Sequence, residues 1–541
     1  MKKILFILIT LISLAYSQVS QSVINNLQSP QKALLKQVYA QNGYNYLWVG
    51  HPSKIAKATN SLSNGYYNYK NKPLHRTEIT RLLYTLDAGG LDAYNTSKLD
   101  VLITDAYLRL LHFIRIGDVH WNLVKQKIAI LRKQYNTKAV WEMHVKSMPR
   151  ANTILKYIQD NRVNALLMDS VGQKERYKPF IDILQYYRKI PEFRKVPYGS
   201  IIKYGHRDRR VYQIKRRLRL LGDFPRAGSI DRKFDKNLAY AIKRFKQRFN
   251  LRGGNTYIDN NLLAYINRPK SYYINKIILN LDKTKVFLSN FGSTYVEVNI
   301  PEFRMRFYKN GSEVFATNVV VGMLTRPTPI FDDYLEYIVT NPTWTVPESL
   351  IREDLIPAIK KYPNVFQIAH LKAYQRGKEV KPNLQKILAL EGTHRDSPYR
   401  IVQQPGPENA LGQVKFMFPN KYSVYLHDTP EKGLFRNKYR YNSSGCMRLE
   451  NPQGFLDVLL PYTNSHYTSA SSAIGSGKTQ KIRLKHKIPV HIVYFTLEFE
   501  NGAPKFLFDA YMYDKMIEES TEGNIQYGFT VPAQRLKEVS N

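Results

Sequence analysis

Between residues 24 and 205, apolar side chains recur at helical spacing. Leu99, Leu102, Ile103, Ala106, Leu110, Phe113 and Ile114 share one face of a predicted helix, and Phe180, Ile183, Leu184 and Tyr187 share another. This stretch is expected to form a helical unit. A second, compact unit is expected over 206–268. Val211, Ile214, Leu218 and Leu221 make one stripe, ended by Gly222, while Phe234, Leu238, Ile242, Phe245 and Phe249 make another, ended near Gly253 and Gly254. Arg216, Arg217, Arg219, Lys243, Arg244 and Lys246 crowd the polar positions, which reads as a solvated basic face.

From about residue 293 the period shortens to that of strands. Residues 295–300 alternate, Val319 to Val321 form a buried run ended by Gly322, residues 422–427 alternate again, and 489–496 are rich in β-formers. Residues 354–396 interrupt this pattern as a mixed insertion, with a helix predicted over Leu355–Lys361. The last stretch, 516–541, is polar and reads as a tail. The pattern thus predicts an α+β chain of several domains, and 541 residues leave room for three or four units of roughly 100–200 residues.

Charge narrows the partners. Lys and Arg total 81 against 43 Asp and Glu, a formal net charge of +38. Such an excess points to an anionic partner: nucleic acid, a membrane surface or an acidic wall polymer. The start of the chain chooses among these. Lys2 and Lys3 precede an apolar run from Ile4 to Leu14 and then Ala15-Tyr16-Ser17, the layout of a secretory leader cut after Ser17. The run is well short of the about 20 apolar residues a spanning helix needs. An exported protein of the periplasm or cell envelope is expected, with no nucleic-acid partner, and with membrane contact only through an uncleaved leader.

Cys446 is the single cysteine, so neither an intrachain disulfide nor a cysteine metal cluster can form. A thiol with a pKa of about 8.5 needs a base to become a nucleophile at neutral pH. His427 can be that base. Strand alternation puts Ser423, Tyr425 and His427 on one face, so the imidazole emerges at a strand end beside the loop returning to Cys446. Gly445 permits a tight turn whose N–H groups could hold an oxyanion, and Arg440 and Arg448 flank the thiol and would favour thiolate. The competing reading is a buried thiol acting as a small hydrophobe.

The segment Ser443-Ser-Gly-Cys-Met-Arg448, with His427 upstream, resembles the active-site motif of L,D-transpeptidases with a YkuD-type catalytic domain. Residues 322–329 (Gly-Met-Leu-Thr-Arg-Pro-Thr-Pro), 341–347 (Asn-Pro-Thr-Trp-Thr-Val-Pro), 405–412 (Pro-Gly-Pro-Glu-Asn-Ala-Leu-Gly), 414–419 and 425–430 resemble the family in the same order. Leu99-Asp-Val-Leu-Ile-Thr-Asp105 resembles the scaffold domain of its large branch, and 206–268 is similar to a peptidoglycan-binding domain with a degraded turn at 252–258. The resemblance implies a helical scaffold (24–205), a small peptidoglycan-binding-like domain (206–268) and a mainly β catalytic domain (280–515) carrying a capping insertion (354–396). It implies Cys446 as acylated nucleophile, His427 as base, Gly445 and Cys446 N–H groups as oxyanion donors, Arg448 ordering the loop and Tyr425 lining the cleft. Ser444 fits the large branch. A backbone carbonyl is the orienter of His427 that the resemblance implies, with Asp428 either sharing that role or facing solvent.

The implied reaction transfers a peptidoglycan stem peptide through a Cys446 thioester, forming a 3→3 cross-link without cofactor or metal. Hydrolysis by the same thioester (an L,D-carboxypeptidase) and a non-catalytic wall-binding scaffold are the rivals. Gly475-Ser-Gly-Lys-Thr479 resembles the end of a phosphate loop but lacks the motif's first glycine, and His370 and His394 read as surface residues.

Overall fold

The computed structural model describes residues 18–134, 137, 139–251 and 256–522. The predicted leader, the first four residues of the 252–258 turn and residues 523–541 lie outside the described residues. Among the described residues no helix is long and apolar enough to cross a membrane.

The first unit is helical, built around Ala93–Arg115, whose N-terminus is capped by Asp92 accepting from Asn95 N. Its two central aspartates explain the 99–105 motif. Asp100 is buried and accepts from three successive backbone N–H groups, those of Leu47, Trp48 and Val49, and from the Tyr39 hydroxyl at 2.6 Å. Asp105 pairs with His75 at 2.7 Å and Arg109 at 2.6 Å. The first pins the preceding loop to the helix, and the second pins the turn at His75.

The 206–268 unit contains the two predicted helices, Arg209–Leu220 and Lys236–Arg248, and a third, Asn260–Ile266. Asp208, Asp235 and Asp259 cap them in turn. The basic face is not simply solvated. Arg217 and Lys246 are buried, and Arg219 and Arg244 are half-buried; only Arg216 and Lys243 of the predicted six are exposed. Lys215 is also buried, held by Asp231 at 2.9 Å and Asp235 at 2.5 Å. Their aliphatic stems and rings pack while the charges find partners, which residue type alone does not reveal.

Strands β1 (Tyr295–Asn299), β2 (Arg304–Lys309), β3 (Ser312–Gly322) and β4 (Asp332–Thr340) open the last unit. The insertion follows, with β5 (Trp344–Thr345), β6 (Leu371–Gln375), β7 (Lys378–Val380) and β8 (Arg400–Gln403). Then come β9 (Val414–Met417), β10 (Leu426–His427), β11 (Tyr441–Ser443), β12 (Met447–Leu449) and β13 (Gln480–Val493). A hairpin of β14 (Leu497–Glu500) and β15 (Ala503–Phe506) ends the strands. The main sheet runs β11-β3-β12-β10-β9-β4-β13-β1-β2, and β2 also pairs with β3. That pairing closes the sheet into a barrel, with β11 left as a short outlying strand paired to β3 alone.

The insertion differs from its predicted limits. It forms a separate four-stranded sheet, β5-β8-β6-β7, spanning Trp344 to Gln403 rather than 354–396. It also buries its own apolar cluster around Ile351, Ile356, Ile387 and Ile401. The predicted helix begins as a π-turn, Ile351–Leu355, and becomes α-helical over Ile356–Lys361. The predicted strand over 422–427 is shorter, because Ser423 has a left-handed φ of +55° and only Leu426–His427 pair as strand. The expected tail also starts too early: Met516 and Ile517 are buried in the helix Tyr513–Glu518.

The helical unit and the barrel share one core. Helix Lys270–Lys283 lies buried between them, with Lys276 2.5 Å from Asp514 and Lys283 paired to the same carboxylate. Arg176 reaches Glu297 at 2.6 Å and Glu498 at 3.0 Å. Trp141 stacks on Tyr513, and its neighbour Glu142 accepts from the Tyr422 hydroxyl at 2.5 Å, close to the strand carrying His427.

Candidate active site

Leu426 and Phe416 are fully buried in the barrel core, so alternation turns Tyr425 and His427 to the opposite face. Parallel pairing of β10 with β12 aligns His427 with Arg448 and Leu426 with Met447, and Met447 N donates to Tyr425 O at 3.1 Å. Antiparallel pairing with β9 aligns His427 with Lys415. Lys415, His427 and Arg448 therefore form a row across three strands. The adjoining row on the same face is Met417, Tyr425 and Cys446. The predicted thiol, Cys446, immediately precedes β12, the strand paired with the one that carries His427, and its Sγ lies 3.9 Å from Ser423 O. Cys446 is partly exposed, unlike a sealed core thiol.

His427 Nδ1 lies 2.5 Å from the carbonyl oxygen of Asp428. A carbonyl can only accept, so the proton sits on Nδ1 and the lone pair on Nε2. The ring is nearly inaccessible, and burial, followed by the positive charges of Arg448, Lys415 and Lys432, pushes its pKa down to about 3. It rests neutral and able to accept a proton. Tyr425 meets it edge-on with ring centroids 5.6 Å apart, and Lys415 Nζ sits 5.6 Å from the Tyr425 ring. Burial draws the Lys415 ammonium below its usual pKa, opposed by the charge of Cys446.

Asp428 does not face solvent. Its carboxylate is buried and accepts from Gln413 N at 2.8 Å, Thr429 N at 2.7 Å and Lys432 Nζ at 2.6 Å. Gly412 makes this possible: a Cβ there would fall 2.3 Å from the Asp428 carboxyl group. The carboxylate fixes the loop, and the carbonyl orients the ring.

The turn before the thiol is held from several sides. Gly445 has φ +112°, a region that side chains avoid. Its carbonyl accepts from Thr328 Oγ1 at 2.8 Å, and Thr328 Oγ1 accepts from Gly322 N at 2.9 Å. The Tyr511 hydroxyl accepts from Thr328 N at 3.1 Å and donates to Gly322 O at 2.7 Å. Ser443 Oγ donates to Cys446 O at 2.6 Å and accepts from Gly445 N at 3.2 Å. The Gly445 N–H expected to face an oxyanion is therefore engaged by Ser443 as folded. Ser444 Oγ accepts from Arg326 at 3.0 Å, and Arg448 is ion-paired with Glu431 at 3.0 Å.

Arg440 departs from expectation. Its guanidinium is used on Phe303 O at 2.9 Å, Asn437 O at 3.2 Å and Val319 O at 3.3 Å, bracing β3 instead of facing the thiol. Lys415, Arg326, Thr328 and Tyr511 went unrecognised in the sequence. Alternation along 414–417 carries the signal for Lys415. Nothing local to Tyr511 points to the site, because a distant loop brings it there.

Comparison with known proteins finds matches for both the barrel unit and the helical unit. Residues 293–466 match the family model of the L,D-transpeptidase catalytic domain, and residues 33–178 match that of a scaffold domain. A Haemophilus influenzae protein named "Putative L,D-transpeptidase" is 33% identical over 243 residues, 45% of this chain and 48% of that protein. The chain thus spans about half the length of that curated relative. Among solved structures, an L,D-transpeptidase fragment from Xylanimonas cellulosilytica is 10% identical, covering 55% of this chain and 99% of its own, with a TM-score of 0.18. One from Stackebrandtia nassauensis is 14% identical, covering 55% and 96%, with a TM-score of 0.20.

Proposed function

We propose that this protein, whose residues 293–466 match the family model of the L,D-transpeptidase catalytic domain, is an exported peptidoglycan L,D-transpeptidase using Cys446 as its acyl carrier. His427 Nε2 takes the thiol proton as sulfur attacks the carbonyl of the third residue in a donor stem tetrapeptide. The C–N bond breaks, the departing D-alanine amine receives that proton, and a Cys446 thioester remains. The side-chain amine of a second stem then attacks the thioester and gives its proton to His427. Expulsion of the thiolate leaves a 3→3 cross-link. The carbon–nitrogen bond broken is replaced by one formed, so neither cofactor nor metal is called for.

The observation that supports this reading is the pairing of β10 with β12, which aligns His427 with Arg448, two residues after Cys446, together with Nδ1 committed to the Asp428 carbonyl. The insertion spanning Trp344 to Gln403 acts as a cap that limits water at the thioester. The 206–268 unit serves as a wall-facing spacer, and the positive surface favours the anionic wall.

Intact-protein mass spectrometry after exposure to a carbapenem tests the reading. One adduct mapped to Cys446 is expected, with none on Cys446→Ala, which should lose turnover while keeping wall binding. Turnover in the alanine variant would sink the proposal. Wall fragments converted only to trimmed tripeptide would reassign the enzyme as a carboxypeptidase.

A further inference from the structure

One loop touches both the nucleophile turn and the insertion. Thr328 donates to Gly445 O, and two residues earlier Arg326 donates to Ser444 Oγ at 3.0 Å. The same guanidinium forks onto Asp354, with both nitrogens 3.1 Å from its oxygens, and meets Glu353 at 2.6 Å. Glu353 and Asp354 sit in the π-turn Ile351–Leu355, which belongs to the insertion's own small core. Turns of this kind occur at functional sites more often than elsewhere. Among the contacts described, Arg326 is a single side chain spanning Ser444, two residues before the thiol, and the two acidic residues of the insertion. Its partners are 42% and 54% exposed, so solvent and salt reach the link and it can open.

We propose that Arg326 is a positioning residue that couples placement of the insertion to the nucleophile turn, and so sets how a thioester on Cys446 divides between amine and water. This rests on the reading of Cys446 as acyl carrier. With the fork closed, the insertion is held against the turn and water is restricted. With it open, the turn keeps its Thr328 brace but the insertion is released.

The test uses the full-length protein with a stem tetrapeptide donor and an amine acceptor, reading cross-linked against hydrolysed product. Arg326→Met and the double variant Glu353→Gln/Asp354→Asn should each raise the hydrolysed share by about three-fold to ten-fold, the scale of one partly exposed charge-assisted contact. Arg326→Lys keeps the charge without the fork and should fall between. Raising salt from about 50 mM to about 500 mM should shift the wild-type ratio the same way and leave Arg326→Met unmoved. A folded double variant with the wild-type ratio overturns the proposal. So does a ratio that follows only loss of melting temperature and ignores salt. If Arg326→Met does not fold, the double variant, with Arg326 intact, decides. Absence of any carbapenem adduct on wild-type Cys446 defeats the transpeptidase reading instead, so the two failures are separable.

Discussion

At His427, a short hydrogen bond and the loss of water act together. Donation from Nδ1 fixes the tautomer, while burial and three cations keep Nε2 unprotonated until the pH nears about 3. An ordinary imidazole would lose its basicity below about pH 6.5. The acid limb of the kcat/KM profile should therefore fall below about pH 5, and a limb at the ordinary imidazole value would contradict this. Stability carries the same sign. The unfolded chain takes up a proton at His427 near pH 6.5, while the folded one waits until about 3. This residue thus costs stability as pH drops through that window, and His427→Gln should flatten that part of a melting-temperature profile. The placement of His427 at the end of a strand adjoining the segment that follows Cys446 was legible because alternation and a return loop are local facts. The fate of Arg440 was not: proximity in sequence to the thiol says nothing of the three carbonyls that claim it.

Among the elements, the loop from Gly322 to Thr328 supports the turn at Gly445. The Thr328 hydroxyl accepts one backbone N–H and donates to one backbone carbonyl, both buried. Thr328→Val keeps the shape and leaves both groups unmatched, at a cost of about 1–3 kcal/mol for each unmet group. Carbapenem acylation should slow by more than the fall in melting temperature alone explains, since the turn positions the thiol. Equal rates in a stable variant would show that the turn holds itself. Strand content was readable here from alternation, but not strand length. Ser423 breaks the predicted strand because its left-handed backbone follows from Asn420 and the neighbouring turn, which period-two patterning does not encode. The insertion was recognised as a break in the strand pattern. Its limits were missed because β5 and β8, at its borders, are too short to show a period.

For the whole molecule, barrel closure and docking of the helical unit were beyond the sequence, since both depend on partners far apart in the chain. Helix Lys270–Lys283 has polar residues throughout and looks like a surface helix until Asp514 is placed against it. Arg176 shows the same at the neighbouring contact. Arg176→Met would leave Glu297 and Glu498 buried without their cation, costing about 3–5 kcal/mol. A clear drop in melting temperature is expected, with reduced turnover although Arg176 is not among the residues that frame the thiol. An unchanged melting temperature would mean that the Arg176 pairs contribute little to holding the two units together. The insertion obeys the opposite rule. It buries its greasy side chains among themselves, and the chain enters and leaves it at neighbouring strands, Trp344–Thr345 and Arg400–Gln403. A lineage can therefore redraw the outer surface of this piece without retuning the barrel beneath, provided Glu353 and Asp354 keep their hold on Arg326. Preference for one acceptor over another can drift in such a module while the chemistry under it stays fixed.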